Sequence, residues 1–405
     1  MNPLRLRPAG PRVLAALTLL VVASAAQAQR RNDFPSWKRD VDRSAPHPLP
    51  EGPEGRVELE LSLALPGVAT GLVVLPDDTL VVPLRSGRLL RMDLRGGVSA
   101  DDGLPGPVAH PPARALDGSA VVLAGDSACR VDLYGMAWCR PLAAAPVEAP
   151  RVTPGLVHVA LSDDRWVALD VESGEVRFEV ALPGGLTAGP VTWGDRFIVG
   201  TGGGELVVAD AGGGIVDRRE VGEAVDELTR DRADLYLIAQ GPTGRYAKDR
   251  GPFLARWQLR SGGLAPRSRW RLRVGGGSST PPMVLDDRVL VASHDGYLRA
   301  VTGRKGRPSW EADLPARVLH PPVRRGGRLE FVLAPTGLMV VSSTRNGALL
   351  GWKGLSDEDE FFVGPAVELG GVTLAATSFG RIVGLSWTFQ GPLSTPKESR
   401  RDRRR

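Results

Sequence analysis

The chain repeats one short unit eight times. Each copy has an apolar stub, a short polar turn and a strand rich in Val, Leu and Ile, as in "ALDGSAVVLA" (115–124) and "VTWGDRFIV" (191–199). Asp and Gly suit tight hairpins, because the turns that match strand twist need positive φ at their centre. The second turn residue falls near 78, 118, 155, 195, 232, 287, 327 and 371. Most intervals are therefore close to 40 residues, the length of a four-stranded sheet with its turns.

A second element follows most of these hairpins. It is a Gly or polar turn and a strand with alternating apolar residues, as in "SGRLLRMDL" (86–94) and "DGYLRAVTG" (295–303). Alternation indicates strands with two distinct faces. No long stretch with the helical period interrupts the pattern, and Gly and Pro occur throughout. The sequence therefore predicts an all-β protein, an eight-bladed β-propeller of four-stranded antiparallel blades.

The last unit shows only three strands before Gly391. Near the start of the repeats stands "RVELELSLALPG" (56–67), which is apolar at every second position and looks like the outer strands elsewhere. We expect Val57 to Leu65 to be the fourth strand of the eighth blade, which closes the ring.

One copy carries a more specific signature. In "ALDVESGEVRFEV" (168–180), Ala-Leu-Asp is followed by Ser173-Gly174 and by an aromatic residue, Phe178, four positions later. "AVTGRKGRPSW" (300–310) is a degenerate copy with Trp310 at the aromatic position. The pattern resembles the repeat of the pyrroloquinoline-quinone (PQQ)-type propellers. That family includes eight-bladed quinoprotein dehydrogenases and the non-catalytic outer-membrane assembly factor BamB.

The first residues predict export. Three Arg precede an apolar run from Val13 to Val22, and Ala26-Gln27-Ala28 provides small residues for cleavage after Ala28. We divide the chain into a signal peptide (1–28), a Pro-rich linker (29–55), the propeller (56–391) and a basic tail (392–405). No Cys near the cut site could take a lipid anchor, and no later apolar run approaches the about 18 residues of a membrane span. We expect a periplasmic or secreted protein.

The charge lies mostly at the two ends of the chain. The formal net charge is +5; the leader contributes three Arg and the tail a net +4, which leaves the body near −2. Such a body lacks the basic patch of a nucleic-acid binder. The tail "KESRRDRRR" is expected to be a solvated end, with weak contact to an anionic membrane surface as the alternative.

The two cysteines are placed for one cross-link. Cys129 and Cys139 flank a predicted strand–turn–strand, and in an exported chain such a pair can form a disulfide. The alternative is two buried thiols. A zinc site needs about four clustered ligands, which the surrounding sequence lacks.

His-Pro-Pro occurs twice, at His110 and at His320. Other units have Thr-Pro-Pro or Gly-Pro at the same point, and Pro suits a crossing because it has no N–H to leave unpaired. We therefore interpret both His as structural rather than as metal ligands. The acidic run "SDEDE" (356–360) is expected to be a solvated connection.

The fifth unit alone carries an insertion, "GPTGRYAKDRGP" (241–252), between its second and third strands. Binding residues concentrate on irregular loops over a rigid scaffold. Its basic and aromatic residues are the partner-binding candidates: Arg245, Tyr246, Lys248 and Arg250. A neutral variation in loop length is the alternative.

These features favour a non-catalytic exported propeller that binds protein partners in the cell envelope, with no cofactor; the resemblance implies a role like that of BamB. A PQQ- and calcium-dependent dehydrogenase is the second hypothesis. Quinoprotein alcohol dehydrogenases commonly have adjacent cysteines and longer, non-repeat segments that build the cofactor pocket, which this sequence lacks. Recognition of a cell-wall glycan, with Trp193 in a turn, is the third.

Overall fold

The computed structural model describes residues 55–241, 251–260 and 263–389. Within these ranges all regular secondary structure is β-strand, and no helix is long and apolar enough to cross a membrane. The predicted leader and tail and nearly all of the predicted linker lie outside the described residues, so those domain boundaries stay predictions.

The strands form eight antiparallel sheets, the blades. The first strand of the chain is β1 (Gly55–Ala64). Blades one to four consist of β2 (Val73–Val74), β3 (Leu80–Pro83), β4 (Arg88–Met92) and β5 (Val98–Gly103); β6 (Ala113–Arg114), β7 (Ala120–Ala124), β8 (Ser127–Asp132) and β9 (Gly135–Pro141); β10 (Arg151–Thr153), β11 (Leu156–Ala160), β12 (Arg165–Asp170) and β13 (Val176–Ala181); and β14 (Leu186–Trp193), β15 (Arg196–Thr201), β16 (Glu205–Ala209) and β17 (Ile215–Glu220).

Blades five to eight consist of β18 (Ala224–Asp231), β19 (Asp234–Gln240), β20 (Phe253–Arg260), β21 (Gly263–Leu264) and β22 (Trp270–Arg273); β23 (Met283–Leu285), β24 (Arg288–Ala292), β25 (Tyr297–Thr302) and β26 (Pro308–Asp313); β27 (Arg317–Val318), β28 (Val323–Arg325), β29 (Arg328–Ala334), β30 (Leu338–Ser343) and β31 (Leu349–Gly354); and β32 (Phe362–Leu369), β33 (Val372–Thr377) and β34 (Arg381–Phe389), with β1 as the fourth strand. The predicted eight-bladed propeller is confirmed.

The ring is closed by the N-terminal strand. β1 pairs antiparallel with β34, from Gly55 opposite Phe389 to Ala64 opposite Arg381, with a bulge between Leu59 and Leu61. The strand predicted over Val57 to Leu65 is therefore confirmed, with bounds shifted by one or two residues.

The blades share their cores. Each of eight apolar clusters draws side chains from two neighbouring blades, and the cluster that contains Leu80 of blade one and Leu374 of blade eight completes the circle. Since each blade buries its faces only against its two neighbours, the cores on both sides of β1 and β34 depend on ring closure.

Two faces of the disc have different connections. First strands of neighbouring blades contact one another and surround the central channel, while the fourth strands lie at the rim. Turns between first and second strands and between third and fourth strands lie on one face, the turn face. The second-to-third connections and the blade-to-blade crossings lie on the other, the crossing face. Gly55 and Phe389 pair at the turn face, so the described chain begins and ends there.

The aromatic residue of the repeat signature packs on the glycine of the next blade. Four outer strands do this, with the pairs Trp138 on Gly174, Phe178 on Gly213, Trp270 on Gly306 and Trp310 on Gly347. All four glycines have positive φ. The indole N–H of Trp138 also donates to the carbonyl of Val171, 3.1 Å away. The signature therefore fixes how neighbouring blades meet at the rim.

This packing makes a stability prediction. Ala at Gly174 would place its Cβ 2.7 Å from the Trp138 ring at a φ of +70°, whereas Ala at Gly155 (φ +79°) would meet no atom within 4 Å. Both substitutions place a Cβ on a left-handed backbone, which destabilises the folded state. Only Gly174→Ala also makes the new Cβ overlap with a neighbouring side chain, the Trp138 ring. We expect Gly174→Ala to lower the free energy of unfolding by roughly 1 to 3 kcal/mol more than Gly155→Ala. Urea unfolding followed by Trp fluorescence measures both; equal losses would refute the packing role.

Candidate functional site

The inner strand of each blade is interrupted near the crossing face. Seven blades carry Pro or Gly at the break: Gly71, Pro111-Pro112, Pro150, Gly189-Pro190, Pro281-Pro282, Pro321-Pro322 and Gly364-Pro365. Blade five instead has Asp226 and Glu227 at a bulge of β18. Two adjacent carboxylates therefore stand where the other blades have residues that turn the backbone.

The His-Pro-Pro copies belong to this break. Pro111 and Pro112 pack against blade one, since a Cβ on Gly71 would lie 3.1 and 3.0 Å from their side chains. His320 lies between β27 and β28, inside the divided inner strand of blade seven rather than before it, which corrects the predicted position by a few residues. His110 and His320 are on different blades, and burial lowers the pKa of each imidazole. Among the described residues no three His, Cys, Asp or Glu form a set that could hold a metal ion.

Glu227 faces blades three and four and is only 7% exposed. Its Oε2 accepts from Nη1 of Arg151 in blade three at 3.2 Å, and Nη2 of Arg151 lies 3.3 Å from Oε2 of Glu148. The same Nη2 donates to the carbonyl of Thr187 in blade four, 3.2 Å away. One guanidinium therefore joins the inner strands of three blades.

Asp226 faces the opposite side of the bulge. Its Oδ2 accepts from the amide of Gln240, the last residue of β19, and its carboxylate also accepts from the backbone N–H of Ser278 in the crossing to blade six. Gln240 directly precedes the insertion, whose ends are tied by a 3.0 Å hydrogen bond from Gly241 N–H to the carbonyl of Gly251. The carboxylate pair thus lies beside the base of the insertion.

Burial perturbs the acids of this cluster. It raises the pKa of Asp226 to about 6, against the hydrogen bonds from Gln240 and Ser278 that lower it. It raises the pKa of Glu227 to about 7 and also raises that of Glu148, although Arg151 lowers both. Carboxylates that titrate near neutral pH cluster at functional sites, but structural ion-pair networks produce them as well. We call Glu148, Arg151, Asp226 and Glu227 the mouth cluster.

The mouth cluster does not fit a PQQ cofactor. That cofactor is itself a tricarboxylate, and it would face the carboxylates of Glu148, Asp226 and Glu227. The guanidinium of Arg151 is already paired with two of them. We therefore derive no step through this cofactor.

The predicted partner-binding residues Arg245, Tyr246, Lys248 and Arg250 lie outside the described residues, and their role stays a prediction. None of the residues of the mouth cluster was among the predicted site residues. One signal was available, because "AVDEL" (224–228) has no Pro or Gly where the other units have one. The ion pair between Arg151 and Glu227 had no such signal, since it joins residues 76 positions apart.

Cys129 and Cys139 lie directly opposite each other on β8 and β9 in blade two. Their Sγ atoms are 1.98 Å apart, as in a disulfide. The pair lies toward the rim, in the hairpin of the third and fourth strands, and so it stands apart from the mouth cluster.

The acidic run "SDEDE" (356–360), which was expected to be solvated, is exposed except at its last residue, Glu360. Asp357, Glu358 and Asp359 are exposed, but Glu360 is 1% exposed and pairs with the guanidinium of Arg381. Thr377 donates a hydrogen bond to the same carboxylate. Glu360 therefore holds the crossing against blade eight.

Comparison with known proteins agrees with the fold. Residues 256–389 match the family model described as "Outer membrane protein assembly factor BamB". The repeats are PQQ-like propeller repeats, similar to those of BamB. The match covers about a third of the chain, from the third strand of blade five to the end of blade eight.

Three solved structures share the fold. BamB from Moraxella catarrhalis has 18% identity and a TM-score of 0.64, over 83% of this chain and 99% of its own. The computationally designed Ika8 protein has 16% identity and a TM-score of 0.64, over 82% and 100%. The C-terminal WD40 domain of Sif2 has 14% identity and a TM-score of 0.66, over 82% and 98%. No curated protein matches the chain.

The mouth cluster predicts a pH dependence of stability. The pKa values of Asp226 and Glu227 are higher in the folded state than in the unfolded chain, so folding takes up protons. The resulting stabilisation is complete below about pH 4 and is lost as the pH rises through about 6 to 7.

Asp226→Asn removes one of these ionisations and keeps a hydrogen-bond acceptor. We expect the variant to be more stable than the parent by roughly 1 to 3 kcal/mol at about pH 8 and by much less near pH 4.5, measured by urea unfolding at each pH. Asp359→Asn, at an exposed position, serves as the control. A pH profile unchanged by Asp226→Asn would contradict the account.

Proposed function

We propose that the protein is an exported, non-catalytic scaffold of the cell envelope that binds a protein partner through the crossing face at blade five. The location of the insertion carries this proposal. Its ends, Gly241 and Gly251, are fixed to each other on that face, whereas the described chain begins and ends on the turn face.

The two strands that flank the insertion, β19 and β20, form a rigid base of the kind on which binding loops are found. β19 and β20 are paired from Asp234 opposite Gln258 to Ala239 opposite Phe253, and Glu227 and Arg151 tie blade five to blade three. A loop held on such a base loses less entropy when it binds. Arg245, Tyr246, Lys248 and Arg250 are the proposed contact residues, of types enriched at protein interfaces.

The comparisons support a role of this type. The matching family model is described as an outer membrane protein assembly factor, and we extend that role to this chain as a proposal. Export by residues 1–28, a periplasmic or secreted location, and contact of the tail with a membrane surface are parts of the same proposal.

The insertion is the part to test. The mature chain, from Gln29, is used as bait with envelope proteins from the cells that produce it. One variant replaces residues 242–250 by a short Gly-Ser link, and a control variant carries Leu116→Ser, at an exposed turn-face position in blade two. We expect the insertion variant to lose a specific partner that the parent and Leu116→Ser both retain. Equal retention by all three proteins would refute binding at this site.

A further inference from the structure

The outer strand of blade five carries three arginines on one side. Arg269, Arg271 and Arg273, which we call the Arg edge, alternate with Trp270 and Leu272 along β22 and just before it. All three arginines are exposed, whereas Trp270 and Leu272 pack against the apolar cluster shared with blade six. Alternate residues of a strand lie about 6.8 Å apart on the same side. The strand thus displays a row of guanidinium groups.

In four other blades a charged residue of the outer strand forms an ion pair with the third strand of the same blade. Arg88 pairs with Asp101 in blade one, Arg165 with Glu179 in blade three and Arg299 with Glu311 in blade six. In each case the arginine is on the third strand and the carboxylate on the fourth. Blade four has the reverse pair, Glu205 with Arg218.

In blade five the third strand has no carboxylate opposite the Arg edge. Ala255 lies opposite Arg271 and Phe253 opposite Arg273. The guanidinium of Arg271 lies 4.6 Å above the ring of Phe253, and Arg269 donates to the side-chain oxygen of Gln258. Within the described ranges no carboxylate forms an ion pair with any of the three.

The strand beneath these arginines has an unused hydrogen-bonding edge. β22 pairs with β20 on one side, and no described strand pairs with its other side. An extended segment can add to such an edge through main-chain hydrogen bonds. Carboxylates at alternate positions of that segment would match the spacing of the Arg edge, and guanidinium groups bind carboxylates in bidentate geometry.

Resting on the proposed function, we propose that the Arg edge binds an extended acidic segment of the partner protein, which adds to β22 as a further strand. The segment has Asp or Glu at every second position. Its path continues from the outer wall toward the crossing face, because Arg273 is the last residue of β22 before the crossing to blade six.

The test uses a defined probe. A blocked, fluorescent peptide, Thr-Glu-Val-Glu-Val-Glu-Thr, is titrated into the mature protein, and fluorescence anisotropy gives the Kd. A peptide of the same composition with the three Glu adjacent tests the alternation. A peptide with N-methyl groups at alternate backbone amides tests strand addition. Vesicles of phosphatidylglycerol and phosphatidylcholine test whether the surface binds anionic lipid instead.

The test variant and its control both remove positive charge from an outer strand. Arg271→Gln with Arg273→Gln removes two charges from the outer strand of blade five. Lys353→Gln removes one from β31, the outer strand of blade seven. We expect the double variant to bind the alternating peptide roughly five- to twentyfold more weakly and Lys353→Gln to bind it unchanged. The clustered and N-methylated peptides are expected to bind at least about tenfold more weakly than the alternating one.

Each contrary outcome is decisive. Equal binding of all three peptides, or vesicle binding lost in the double variant without peptide binding, would overturn the proposal. If the alternating peptide does not bind, but capture of the partner still requires residues 242–250, the inference about the Arg edge is wrong and the proposed function stands. If the peptide binds as expected but no partner depends on the insertion, the inference stands and the proposed function falls.

Discussion

The pairing of β1 with β34 is the interaction on which the rest of the molecule depends. Each apolar cluster lies between two blades, so the cores on either side of blade eight are complete only when the first described strand joins the last. Burial at each interface then stabilises its neighbours, as in other repeat architectures. The same pairing brings Gly55 and Phe389, the first and last described residues, together on the turn face.

Blade five departs from the other blades at three radii of the disc. At the channel it has Asp226 and Glu227 in place of Pro or Gly, above β19 and β20 it carries the insertion, and at the rim it presents the Arg edge. Burial disfavours the charged forms of the two carboxylates, and the exposed guanidinium groups of the Arg edge repel one another with no carboxylate paired to them among the described residues. Both features reduce the stability that a regular blade would have. Their coincidence on the blade that bears the insertion favours a binding role there.

Much of the fold could be predicted from the sequence, because the signals are local and repeated. Turn residues at intervals of about 40 gave the blade count, and the alternating stretch around Leu61 identified the closing strand. The signature around Gly174 and Phe178 also had a physical meaning, since each aromatic ring packs on the glycine of the next blade.

The site was less predictable because its contacts are distant in sequence. Arg151 and Glu227 meet only when three blades are in place, and burial of Glu360 by Arg381 depends on a connection that looked merely acidic. The alternating arginines of the Arg edge are visible in "RSRWRLRV" (267–274). The sequence could not show that they lack carboxylate partners, because that depends on Ala255 and Phe253 lying opposite them on the neighbouring strand.

The most direct test of a partner at blade five is site-specific photo-cross-linking in the cells that produce the protein. A photoreactive residue replaces Arg271 in one strain and Lys353, on the outer strand of blade seven, in another. The account predicts an adduct from position 271 to one envelope protein, mapped by mass spectrometry to a segment with alternating Asp or Glu, and no such adduct from position 353. Adducts to the same protein from both positions, or to lipid from position 271, would contradict it.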